Sequence, residues 1–192
     1  MIGELFEHHP PSPLRWGVVL CAAAVARATD IRSRRIPNVL TLPLLVAGLI
    51  EATVARGGLH GLLDALAGCV IVGVPFVLLF LFAGGGGGDA KLMGAIGAWV
   101  GVSQGVIVVV AVTACGAVIG LAFAALRRQL VPVLRNMRMI GQGVWCAVAA
   151  RKAPGDVQAL MPDAAVMLKM PYGIAICAGL CAAATKVFLW NT

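Results

Sequence analysis

Eight carboxylates occur in the 192 residues: Glu4, Glu7, Asp30, Glu51, Asp64, Asp89, Asp156 and Asp163. Asp30 closes the first long apolar stretch, and Asp89 follows the third. A carboxylate at the edge of a membrane span is costly to dehydrate unless it is paired or near water, which marks both as candidates for function. Two such groups brought together can hydrolyse a peptide bond without a metal. One carboxylate takes a proton from water while the other, protonated, donates to the scissile carbonyl. Close approach enforces that division, because like charges a few ångströms apart do not both ionise cheaply. The pair titrates as a unit, so acid and base are not assigned individually. Asp30 and Asp89 are therefore the candidate catalytic residues.

The remaining acids carry less chemistry. Glu4 and Glu7 fall in the N-terminal tail, and Asp156 and Asp163 in the large loop of residues 127–170, the longest non-spanning stretch. Glu51 and Asp64 fall near span ends and are expected to be interfacial charges in contact with headgroups or water. The three histidines, His8, His9 and His60, fall away from the candidate pair. None of the six cysteines forms a CxxC pair and most lie in apolar stretches, so small packing residues are expected rather than a metal site.

The elements that must position the aspartates follow from composition. Hydrophobic residues make up 60% of the chain and charged residues 12%, against about 25% charged in a soluble domain. Too few polar side chains remain to cover a soluble surface, which implies an all-α polytopic membrane bundle in one domain, residues 1–192. A spanning helix needs about 20 apolar residues. Leu62 to Ala83, Gly105 to Leu126 and Pro171 to Trp190 meet that length. Leu14 to Thr29 and Val39 to Ala55 are shorter, and the first is lengthened if Arg15 and Arg27 snorkel toward the interfaces. Leu92 to Val102 is too short alone, and is expected either to continue through Ser103 and Gln104 near a turn or to start inside the glycine run before it. About six spans result. Met139 to Ala150 is expected to lie in the interface or re-enter, and no cleavable signal is expected before the first apolar run near Leu14.

Charge sets the expected orientation. With both termini outside, 12 of the 15 lysines and arginines fall in inner loops or at the inner end of the first span, and Arg15, Arg56 and Lys186 toward the outside. Asp30 and Asp89 then both emerge on the inner face. The net charge of +7 follows this asymmetry and is not read as a nucleic-acid footprint. Small residues four apart, at Gly97 and Gly101 and at Gly116 and Gly120, suit close helix packing.

Five glycines, Gly84 to Gly88, precede Asp89. They weaken helix and allow another backbone to approach, as an extended peptide laid beside an aspartate would require. Gly85, Gly87 and Ala90 formally satisfy a dinucleotide fingerprint. That motif needs a short strand before it and an acid about 20 residues later, whereas no acid occurs between Asp89 and Asp156. A phosphate-binding Walker loop fails as well, since no Gly-Lys-Ser/Thr follows.

Three elements in order carry a family resemblance. Gly86-Gly87-Gly88-Asp89 resembles the GxGD signature of intramembrane aspartyl proteases, and Asp89-Ala90-Lys91-Leu92 extends it in the manner of type IV prepilin peptidases. Asp30-Ile31-Arg32-Ser33-Arg34-Arg35-Ile36-Pro37-Asn38 looks like that family's first motif, and Met170-Pro171-Tyr172-Gly173 resembles its Pro-Tyr-Gly element. The resemblance implies removal of the basic leader from type IV prepilins or pseudopilins at the cytoplasmic face of the bacterial inner membrane. No cofactor is implied. Gly86, Gly88, Lys91, Pro171, Tyr172 and Gly173 are the implied substrate-binding residues, and the pilus assembly machinery is an implied partner. Bifunctional members carry a cytosolic insertion with paired CxxC motifs between the first two spans, associated with N-methylation. Only Ile31 to Asn38 separates those spans here, so the chain looks like the short, peptidase-only form serving Flp/Tad-type pili. Pro37 and Asn38 are expected to set the start of the second helix. The alternatives from other classes are a small carboxylate-dependent transporter and a non-catalytic assembly scaffold.

Overall fold

The computed structural model describes residues 12–33, 38–83, 87–128, 138 and 172–190. The described residues form helices α1 (Pro13–Ser33), α2 (Asn38–Ala55), α3 (Leu59–Ala83), α4 (Gly87–Leu126) and α5 (Tyr172–Trp190), with no strand among them. The all-α bundle expected from composition is the observed architecture. The span count is lower than expected. Among the described residues three helices are long and apolar enough to cross a membrane, Asn38–Ala55, Leu59–Phe80 and Gly87–Leu126. Charges at Arg15, Arg27 and Asp30 lower the hydropathy of α1, and the apolar part of α5, Gly173–Leu189, is shorter. The difference also lies in α4, whose 40 residues are two helical arms joined at Gly101 without a loop.

Gly101 has φ 73° and ψ −174°, a conformation open essentially to glycine alone. The arms reverse direction there. Val72 of α3 lies against both Gly97 and Gly105, four residues to either side of the turn. Neighbouring helices agree. α1 pairs Trp16 with Phe188 and Ala23 with Cys177, so it runs antiparallel to α5. α5 in turn is antiparallel to the second arm, setting Gly179 on Val112 and Ala175 beside Gly116. The short apolar stretch thus starts inside the glycine run, at Gly87, and turns at Gly101. Gln104, expected near a turn, lies in the second arm and accepts a hydrogen bond from Trp16 Nε1 at 2.9 Å.

The first arm is the centre of the molecule. Every residue from Leu92 to Val102 is buried, which suits a segment apolar on all sides. The lipid-facing surface is apolar too, with Val39, Val54, Val110 and Val118 largely exposed on the outer helices. Glycines line the contact between α3 and the first arm. Gly68 and Gly73 of α3 pack on Gly94, Gly97 and Gly101, and a Cβ at Gly73 would stand 3.3 Å from Gly94 Cα. The Gly97 and Gly101 spacing is therefore a packing face, as expected, and Gly116 serves similarly against α5.

The turn itself is held by charge. Arg56, at the end of α2, points its Nη1 at Asp64 Oδ2 of α3, 2.8 Å away. Its Nη2 donates to the carbonyls of Trp99 and Ala98, the last of the first arm. Asp64 Oδ1 accepts from the Val102 amide, the first of the second arm, at 3.0 Å. A cation thus meets the carbonyl end of one arm and an anion the amide end of the next, the favourable sign at each terminus. Glu51 lies 3.5 Å from Arg56 Nη2 and 2.7 Å from Arg15 Nε. Asp64 is only 8% exposed and its partner Arg56 only 7%, so the expectation that Asp64 is an interfacial charge facing headgroups or water is corrected. Their partners are not lipid but the backbone ends exposed by the reversal.

Gly101→Ala should lower stability by about 1–3 kcal/mol from backbone strain, with a further loss because its Cβ would stand 2.9 Å from Arg56 Nη1. Gly17 has open space around it, so Gly17→Ala should change little. Thermal unfolding of both variants in detergent checks the contrast.

Candidate functional site

Asp30 lies in the last turn of α1, and Asp89 in the first turn of α4. α1 is antiparallel to α2, since Arg15 near its start pairs with Glu51 near the end of α2. The α1 end bearing Asp30 and the start of α2 therefore share one end of the bundle. Lys91 Nζ donates to Asn38 Oδ1 at 3.0 Å, which brings the start of α4 to the same end. The start of α5, with Tyr172 and Gly173, arrives there as well, because α5 runs antiparallel to α1. The end carrying Arg56 and Asp64 is the opposite one.

Local sequence explains each placement. The helix of Asp89 begins at Gly87, whose position against the Phe80 ring leaves only 3.4 Å for a Cβ. Asp89 sits in the first turn, where the free amides and the helix dipole favour a negative charge. It is half-buried, and Ala90 after it is buried. Lys91 and Asn38 are exposed, so their hydrogen bond forms at the water-accessible rim. Gly88 is half-buried and Gly173 buried. Gly86 and Pro171 lie outside the described residues, as do the side chains of Asp30 and Tyr172, the arginines Arg34 and Arg35, and Pro37. Met139 to Ala150 also lies outside them.

Two features were not foreseen from sequence. One is the contact between Lys91 and Asn38, residues that belong to different motifs and are 53 positions apart. The other is the charged clasp on the turn. Its signal was present as an arginine and an aspartate flanking Gly57-Gly58, a pair of positive-φ glycines that joins two helices. Among the described residues no group of three or more His, Cys, Asp or Glu is arranged to hold a metal ion.

Chemically, a set of apolar helices that gathers acid-bearing and glycine-bearing termini at one rim defines a polytopic helical membrane protein with a polar site at its surface. The sequence model of the type IV leader peptidase family matches residues 17–121, more than half of the chain and including both aspartates. The chain belongs to that family. It is 40% identical over 111 residues to the prepilin leader peptidase/N-methyltransferase of Burkholderia pseudomallei strain 1026b, and equally to that of strain K96243. Each alignment covers 53% of this chain and 35% of the relative, so the chain matches about a third of the length of these curated relatives. No solved structure matches.

Asn38→Ala and Lys91→Gln should each reduce stability slightly, with a coupling of about 0.5–1.5 kcal/mol for one hydrogen bond. A double-mutant cycle on thermal unfolding measures that coupling, and a value of zero would mean the contact adds nothing.

Proposed function

We propose that the protein is a membrane aspartyl endopeptidase that removes the leader peptide of type IV, Flp-type prepilins or pseudopilins, with Asp30 and Asp89 as its catalytic pair. The observation that carries this reading is the gathering of the α1 end and the α4 start at one rim of the bundle. Membership of the leader peptidase family and the name of its 40% identical relatives support the substrate class. In this reading one aspartate, ionised, draws a proton from water as it attacks the scissile carbonyl. The other, protonated, hydrogen-bonds the carbonyl oxygen and then protonates the departing amine. Asp89 is half-buried, so it remains within reach of water.

The glycines Gly86 and Gly88, with Gly173, Pro171 and Tyr172, are assigned to the path of the extended substrate. Lys91 is assigned to the substrate chain through its exposed position two residues beyond Asp89, while its amine is anchored on Asn38. The site faces the cytoplasm in this reading, in keeping with the positive-inside distribution of arginine and lysine, and both termini lie outside. The pilus assembly machinery is the proposed neighbour in the inner membrane. Methyl transfer is not assigned, because none of the six cysteines forms the CxxC pairs associated with it.

Asp30→Asn and Asp89→Asn should each reduce leader cleavage about 10²–10⁴-fold, the usual contribution of a positioned acid or base. Co-expression with a prepilin from the same genome, followed by mass measurement of the pilin, reads this directly. An Asp30→Asn protein that processes prepilin at the wild-type rate would overturn the proposal. Loss of ion flux with processing intact would favour the transporter instead.

A further inference from the structure

Helix contacts lined by glycine bring backbones close together. Where Gly68 and Gly73 meet Gly94, Gly97 and Gly101, only small side chains stand at the contact, Cys69 beside Gly94 and Val72 against Gly97. Small apolar side chains give a face with little directional preference. Directional contacts add to them in fixing the height of the first arm of α4, whose far end carries Asp89. The polar contacts on that arm are of this kind. Lys91 reaches Asn38 at the Asp89 end, but that bond is exposed. Trp99 Nε1 donates to the Leu44 carbonyl at 2.8 Å, a buried bond to α2. The third is the buried clasp in which Arg56 holds the Trp99 and Ala98 carbonyls and Asp64 holds the Val102 amide.

We infer that Arg56 and Asp64 are positioning residues for the carboxyl pair, setting the axial register of the Asp89-bearing arm from the opposite end of the bundle. The inference rests on the proposed function for its catalytic consequence, but its geometric content does not. The arm between clasp and aspartate is one helix from Gly87 to the break at Gly101, about 20 Å long at 1.5 Å per residue. A helix that is buried on all sides moves as a rod. A clasp that holds both sides of the turn by charged hydrogen bonds therefore fixes where the rod ends. Misplacement of a reacting group by about 1 Å can lower a rate about 10²-fold.

Two readouts separate positioning from mere support of the fold. Nitroxide labels at Asn38→Cys and Lys91→Cys, in a background lacking the six native cysteines, report the register of the arm against α2 by electron paramagnetic resonance. Asp64→Ala should change the label separation in protein that remains helical and folded in detergent. In the unlabelled enzyme the same substitution should lower kcat for prepilin cleavage about 10²-fold, with KM little altered. It should also change the width of the bell-shaped pH profile, narrowing it if the carboxyls move apart, because coupling between like charges is what separates their two apparent pKa values. The described charged groups on that end, Arg27 on α1, Lys91 on α4 and Arg127 and Arg128 in the turn just after α4, are the same in the variant, and α2, α3 and α5 bring no described charged side chain there. Asp64→Asn keeps an acceptor for the Val102 amide and should restore most of both readouts. It carries the test should Asp64→Ala fail to fold, its residual shift then lying in the same direction. Unchanged label separation in a folded variant would overturn the inference, as would a stability loss with kcat and pH profile intact. A wild-type protein that cleaves no prepilin would instead sink the proposed function, leaving the label separation to decide the register.

Discussion

A chain that reverses direction inside a membrane protein exposes carbonyls at the end of one helix and amides at the start of the next. In a soluble protein water would satisfy them. Here the Arg56 guanidinium takes the carbonyls of Ala98 and Trp99, and the Asp64 carboxylate takes the amide of Val102. The two side chains then neutralise one another at 2.8 Å. Buried charges are tolerated when paired and hydrogen-bonded, as both Nη atoms of Arg56 are although its buried Nε has no partner, and removing one member of the pair strands the other. Everything at the centre of the bundle depends on this arrangement. Without it a loop-free reversal at Gly101 would leave backbone groups with no partner, which an apolar environment does not permit.

The short central arm makes sense in the same terms. A helix facing lipid must match the hydrocarbon thickness of about 30 Å, but an arm enclosed by other helices need not. Its neighbours meet the lipid instead, with valines and leucines exposed on their outer faces. The centre combines small residues with Leu92, Met93 and Ile96 and with two tryptophans, Trp16 and Trp99, each with its indole N–H satisfied across a helix boundary. Gly48 is small because Trp99 fills the space beside it, with the indole Cδ1 2.8 Å from where a Cβ would stand.

The fold class was legible because composition alone excludes a soluble surface, and between polar breaks α3 was legible as a long apolar run and α2 as a shorter one. The start of the arm at Gly87 was legible in part, as one of two readings of a short apolar stretch beside the glycine run. The turn at Gly101 was not, since a glycine among many glycines carries no mark of its φ angle. Asp64 was misread for a physical reason. An acid near the end of a span has the same sequence signature whether it faces headgroups or caps a buried helix terminus, and only the backbone it meets, 38 residues on, tells them apart. On the candidate site, the two aspartates stood out by their positions at span ends, whereas the Asn38–Lys91 contact depends on how two distant segments converge.

The clasp also bears on how the protein is assembled. Arg56 and Asp64 are eight residues apart, on either side of the tight turn between α2 and α3. That helical pair is synthesised before any of α4, so the charged socket is complete in sequence before its occupant exists. The first arm, at about 21 Å for 14 residues, is too short to rest across a bilayer by itself. It must enter as a hairpin with the second arm, and its turn then seats on a socket already in place. The order of the chain is thus an order of insertion, with a template laid down first and the central rod delivered to it.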